Sequence, residues 1–210
     1  MKYVYILAIA IIATLIILYH NYDKLVWQKS SVDDRYYLVR NRKDKAQAAD
    51  MLSKINRNMV ELSRHIKTKY PNNENVQLIL SRYNPDNIIE HIPDWFNPEI
   101  AYTLFKGKTF AICVRDFYKV KSNKPKYFSR YKGKVIDDLN TMTFVAIHEL
   151  AHISTDAIQH PIEFWLLFKF LLKEAVECNI YKPVNYRDYP VYYCKNMKIN
   201  YNPLYDDQLK

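Results

Sequence analysis

Residues 141–152, Thr141-Met142-Thr143-Phe144-Val145-Ala146-Ile147-His148-Glu149-Leu150-Ala151-His152, decide how this chain is read. The first seven residues have the composition of a buried helix, and the last five spell H-E-x-x-H. On a helix, side chains four apart stand one above the other, so His148 and His152 present both imidazoles to a single ion. Neutral imidazoles suit Zn²⁺. Glu149 projects beside the same point, where it can take a proton from a metal-activated water. The competing reading is two surface histidines beside a helical acid.

A catalytic zinc centre uses three protein ligands and leaves the fourth position open. The third therefore has to lie downstream. His160 is the leading candidate, separated from His152 by seven residues and directly followed by Pro161. Proline favours the first position of a helix, which places His160 at an N-cap and Glu163 in a first turn, where an acid suits the helix dipole. Glu174 and Glu177 on the following helix are alternative ligands, and Asp156 and Glu163 complete the set of candidates.

His148 to His152, followed by His160-Pro161-Ile162-Glu163-Phe164-Trp165, resembles the SprT and WLM metalloproteases. Their third zinc ligand sits in an H-G-x-x-F/W element. That resemblance implies His148, His152 and His160 as metal ligands and Glu149 as general base, with Pro161 standing where the family has glycine. Asp33 to Asn41, Tyr102 to Lys108, Cys113-Val114-Arg115 and Asn200 to Tyr205 are similar to segments of membrane-anchored members from large DNA viruses.

Tyr3 to Tyr19 is apolar or aromatic at every position except Thr14. At 1.5 Å per residue the run spans about 25 Å, close to the hydrocarbon thickness of a bilayer. With a single lysine before it and no small-residue cleavage site after it, the stretch reads as an uncleaved single transmembrane helix over residues 1–20. Basic residues at Lys24, Lys29, Arg35 and Arg40 then put the rest of the chain on the cytosolic or virion-interior side. Three cysteines, an odd number without framework spacing, fit a reducing compartment or use as small apolar side chains.

Residues 21–45 are polar and read as a juxtamembrane stalk with a short strand at 36–39. Residues 46–210 suffice for one domain with its own core. Met51, Leu52, Ile55, Met59, Leu62 and Ile66 recur at threes and fours, which predicts an amphipathic helix from Ala46 to about Lys69. Ala101–Phe105 and Thr109–Val114 flank Lys106-Gly107-Lys108 and predict a hairpin. Two glycines in 210 residues leave no phosphate-cradling loop.

With 31 Lys+Arg against 22 Asp+Glu, the chain carries a net charge of +9. Lys119, Lys121, Lys124, Lys126, Arg130, Lys132 and Lys134, interleaved with Tyr118, Tyr127, Phe128 and Tyr131, form a basic aromatic stretch. It reads as a solvated loop, with nucleic-acid contact as the alternative. The sequence thus predicts an α+β minimal zincin, a small antiparallel sheet with the H-E-x-x-H helix and flanking helices, behind one transmembrane helix. The expected activity is zinc-dependent hydrolysis of protein or peptide substrates. The alternative is a virion membrane structural or interaction protein with a non-catalytic zinc site.

Overall fold

The computed structural model describes residues 2–22, 24–93, 99, 101–104, 107–119, 131–154, 160–194 and 197–209, with 2, 17–22, 117–119 and 131–133 given by backbone alone. Helix α1 spans Lys2–Tyr22 and is followed by strands β1 (Leu25–Lys29) and β2 (Tyr36–Arg40). Helices α2 (Lys45–Lys69) and α3 (Glu74–Arg82) lead to β3 (Ile88–Glu90) and to β4 (Ala101–Leu104) with β5 (Thr109–Ile112). Strands β6 (Arg115–Lys119) and β7 (Tyr131–Val135) precede helices α4 (Leu139–Ser154) and α5 (Ile162–Glu177). A small hairpin, β8 (Val191–Tyr193) and β9 (Met197–Ile199), closes the order together with a 3-10 turn at Pro203–Tyr205.

The predicted amphipathic helix is α2, and Met51, Leu52, Ile55, Met59, Leu62 and Ile66 are all buried on it. It stops at Tyr70 because the following Pro71 disfavours helical backbone in the residue before it. Asn73 starts α3 by accepting the Val76 N–H on its side chain at 3.1 Å. Asp138 does the same for α4, accepting from the Thr141 N–H at 3.0 Å and from the Thr141 hydroxyl at 2.6 Å. Helix α4 is apolar nearly all round because α2, α3, α5 and β4 all pack against it.

The sheet order is β1-β2-β3-β5-β4, so β1 and β4 are the edges. β4 pairs antiparallel with β5 in the predicted hairpin register, Thr103 opposite Phe110. β3 runs parallel to both β2 and β5. The sheet is therefore mixed and not purely antiparallel as expected. The chain between β2 and β3 crosses over through α2 and α3, and such a crossover returns a strand in the parallel sense. The strand expected at 36–39 is β2, whereas the short β3 gave no signal of its own and the polar composition of 21–45 concealed β1 and its pairing with β2.

The expectation of an N-terminal transmembrane helix and of a single-pass membrane protein is corrected. Among the described residues no helix is long and apolar enough to cross a membrane.

Cys113 and Cys194 form a disulfide across a sequence separation of 81, leaving Cys178 free. The reading of the cysteines as unpaired fails because nothing local to either residue marks a pairing over that distance. A buried ion cluster joins the sheet to the start of α2. Arg115, fully buried, pairs with the buried Glu90 and with Asp44, and Glu90 also accepts the Arg40 N–H at 2.7 Å.

Candidate metal centre

His148 and His152 stand on one face of α4, as their spacing requires. The residues 155–159 that follow lie outside the described residues, among them the candidate ligand Asp156. The chain is described again at His160, one residue before Pro161, which holds the N-cap of α5. His160 was expected at that cap. Standing outside it, His160 is not bound to helical geometry and turns back on α4.

His160 Nε2 lies 3.1 Å from His148 Nε2 and 3.1 Å from His152 Nε2. The three ligand nitrogens all fall within 4.8 Å of one another. A neutral imidazole carries one N–H, so His160 Nε2 can donate to only one of its two neighbours. Lone pairs must otherwise face each other, and a cation shared by all three resolves that. Zn–N bonds of about 2.0–2.1 Å in a tetrahedron give N···N edges of about 3.3 Å, close to the spacing here. The donor set therefore fits Zn²⁺.

Burial pushes the His148 imidazole down to about 3, with His152 and His160 adding to the effect. His152 is lowered to about 4 by burial and then by His160, and His160 is lowered by burial. Metal-binding histidine has to be neutral, so the same desolvation that costs a proton prepares the ligands. Phe164 of α5, fully buried, is the floor under all three rings, with centroid distances of 4.9 Å to His148, 4.3 Å to His152 and 4.6 Å to His160. Trp165 then wedges between His160 and Tyr201, at 5.4 Å and 5.0 Å.

The Glu149 carboxyl is buried, and burial first, then the charge of Glu99, pushes it up to about 8. Glu99 is tied to the sheet through its carbonyl, which lies 2.9 Å from His91 Nε2. Tyr193 of β8 is also buried: burial and then the Glu149 charge raise its phenol, whose hydroxyl donates to the Cys113 carbonyl. Neither Tyr193 nor the supporting role of Phe164 was found from sequence. For Tyr193 no signal existed.

The other candidate ligands stand elsewhere. Glu163 is exposed in the first turn of α5. Glu174 is bound to α2, with His65 Nε2 at 2.8 Å, the Tyr70 hydroxyl donating at 2.8 Å and Lys69 Nζ donating at 3.0 Å. Glu177 pairs with the same lysine. His65, Glu174 and Glu177 make a second group with metal-binding side chains. Lys69 already supplies the positive charge between its two carboxylates. Of the basic aromatic stretch, Lys119, Lys132 and Lys134 belong to the β6–β7 hairpin, and Lys121, Lys124, Lys126, Tyr127, Phe128 and Arg130 lie outside the described residues.

No family model and no solved structure matches the chain. Two viral proteins are similar to it. An uncharacterised protein of Acanthamoeba polyphaga mimivirus is 31% identical over 170 residues, which is 79% of this chain and 78% of the relative. An uncharacterised protein of Invertebrate iridescent virus 6 is 32% identical over 103 residues, 49% of this chain and 50% of the relative.

Proposed function

The chain belongs to the family of the mimivirus protein, and because no activity is attached to that relative's name, we propose one from the site: a zinc-dependent endopeptidase of the SprT/WLM-like minimal-zincin kind. The observation that carries the reading is the meeting of three neutral imidazoles, His148, His152 and His160, beside a buried carboxyl on the turn between the first two.

When bound, Zn²⁺ supplies a Lewis acid that polarises a peptide carbonyl and acidifies water. His148, His152 and His160 would hold it. Glu149 is the general base: its carboxylate takes the proton of the attacking water and passes it to the amine nitrogen as the C–N bond breaks. Desolvation suits it to that exchange, since a carboxyl raised to about 8 holds a proton far better than one in water. The charge of a Zn²⁺ held by the three imidazoles would oppose this shift and keep the carboxylate available as a base.

An extended peptide has a place to bind. β4 is a sheet edge and packs against α4, so its free backbone groups can pair with a substrate strand whatever the side chains. This favours a polypeptide over a small-molecule substrate.

The test is Glu149→Gln in the full chain. That change keeps the shape of the side chain and removes the base. Zinc should stay at about one per chain while peptide hydrolysis falls at least about a hundredfold. Undiminished hydrolysis overturns the assignment of Glu149, and stoichiometric zinc in the His148→Ala/His152→Ala double variant overturns the metal centre. A wild-type chain that holds zinc and cleaves no protein substrate would instead leave the non-catalytic zinc reading.

A further inference from the structure

We propose that Trp165, together with Ile162 and Leu166 beside it on α5, is the specificity subsite of the metal centre, and that it takes a large apolar side chain of the substrate residue next to the scissile bond. The proposal rests on the peptidase reading above and names the class of polypeptide that the site accepts.

The first two turns of α5 carry more apolar surface than their packing uses. Phe164, Leu167 and Phe168 are buried and hold the helix to the core. Ile162 and Leu166 are 55% and 37% exposed, and Trp165 is half-buried. Spacings of three and four make Ile162 a neighbour of both Trp165 and Leu166 on the helix surface. Single exposed apolar residues are ordinary, whereas a contiguous group at a site marks a binding surface.

This group adjoins the metal ligands. The Trp165 ring lies 5.4 Å from the ring of His160, centroid to centroid. A substrate residue held at the three imidazoles therefore has the indole within reach of its own or its neighbour's side chain. Tyr201 backs the indole edge-on, at 5.0 Å and 85°. The Tyr201 hydroxyl donates to the Asp206 carboxylate at 2.7 Å, and Lys169 Nζ donates to the Asp206 and Leu209 carbonyls, each at 2.7 Å. These bonds tie the C-terminal segment to α5 and fix Trp165 between that segment and His160. A ring already fixed loses little freedom on binding, so more of the contact appears as selectivity.

The charges nearby favour a neutral occupant. Lys169 is engaged by two carbonyls, and Glu163 stands exposed in the same first turn as Ile162, so an acidic side chain would meet repulsion. A basic side chain could pair with Glu163, but an ion pair in water contributes little. Covering Ile162, Trp165 and Leu166 contributes more, because it removes apolar surface from water. The edge of β4 then holds the main chain of any sequence, and the α5 surface reads one side chain.

The experiment offers the zinc-loaded full chain a peptide library randomised on both sides of the cut. Phe, Tyr, Trp or Leu should be enriched at one position beside the cut, with kcat/KM at least tenfold above Ala there and with Asp and Glu depleted. Trp165→Ala should lower the Phe-to-Ala ratio of kcat/KM at least tenfold, and Trp165→Phe should restore most of it. Ile162→Ser, at an exposed position, should lower the ratio severalfold, and chelator titration checks that each variant keeps its zinc. A wild-type ratio near one, a preference for Lys or Arg, or an unchanged ratio in both Trp165→Ala and Ile162→Ser overturns the subsite. If no peptide is hydrolysed, the peptidase reading falls separately. The subsite is then decided by calorimetric titration of Phe-containing and Ala-containing peptides into zinc-loaded Glu149→Gln. Tenfold tighter binding of the Phe peptide, lost on adding Ile162→Ser and Trp165→Ala, upholds it, and equal binding overturns it.

Discussion

Gly107→Ala tests how the end of the metal helix is held. Gly107 has φ +94°, and a β-carbon built there would meet the Arg82 carbonyl oxygen at 2.8 Å and Ile153 Cδ1 at 3.0 Å. Left-handed backbone costs an L-residue roughly 1–2 kcal/mol. Overfilling a packed site costs a further 1–3 kcal/mol or so, and here the nearest obstacle is backbone, which cannot rotate aside. A stiffer unfolded chain returns about 0.4–1 kcal/mol. The net expectation is a loss of about 2–4 kcal/mol. The loss should reach the site as well, because Ile153 follows His152 and its carbonyl accepts from Arg82 Nη1 at 2.8 Å. Urea unfolding followed by circular dichroism measures the change as a lower midpoint at constant slope. Lys108→Ala, at an exposed neighbour, is the control and should stay within about 0.5 kcal/mol of wild type. A Gly107→Ala chain as stable as that control would refute the steric reasoning.

Arg115→Leu leaves the Glu90 carboxylate buried beside an apolar side chain and should cost about 3–5 kcal/mol in the same assay. The double variant Arg115→Leu/Glu90→Gln should recover part of that, and equal stability of wild type and single variant would contradict the account. At Glu174, burial raises the carboxyl, but hydrogen bonds from Tyr70, Lys69 and His65 outweigh it and leave the group below its ordinary value. A carboxyl lower in the folded than in the unfolded chain stabilises above its unfolded value of about 4.3, and that gain is lost as pH falls through the folded value. Stability curves of wild type and Glu174→Gln should thus converge below about pH 4. Curves that stay parallel there would show that the hydrogen bonds contribute nothing. His160→Ala should weaken zinc against a competing chelator far more than Glu163→Ala or Glu174→Ala, since only His160 adjoins the other two imidazoles. Tight zinc in His160→Ala would remove it from the ligand set.

What could be read in advance divides by the distance over which each interaction acts. The H-E-x-x-H spacing fixes two imidazoles on one helical face, and the pattern of Met51 to Ile66 fixes the buried side of α2, because both depend on helical repeat alone. The hairpin around Gly107 was likewise local. His160 could be nominated but not placed, since its position depends on how the chain returns after residue 154. The parallel pairing of β3 was hidden, for three residues, Ile88 to Glu90, carry too little periodicity to read. Tyr193 and the Cys113–Cys194 bond were hidden because their partners lie some eighty residues away. The apolar run at the N-terminus was readable as a helix, and α1 is one.

The central place of β3 bears on how the molecule forms. Its neighbours on either side are β2, some fifty residues earlier, and β5, some twenty later. Neither pairing can be nucleated by a tight turn, so the loop-closure cost of both is met before the ladder rewards it. The sheet cannot close until the chain has been synthesised past Ile112, and α4 emerges only after that. The first two histidines therefore reach a sheet that is already complete in sequence, while α5, which carries Phe164 under their rings, is still to come.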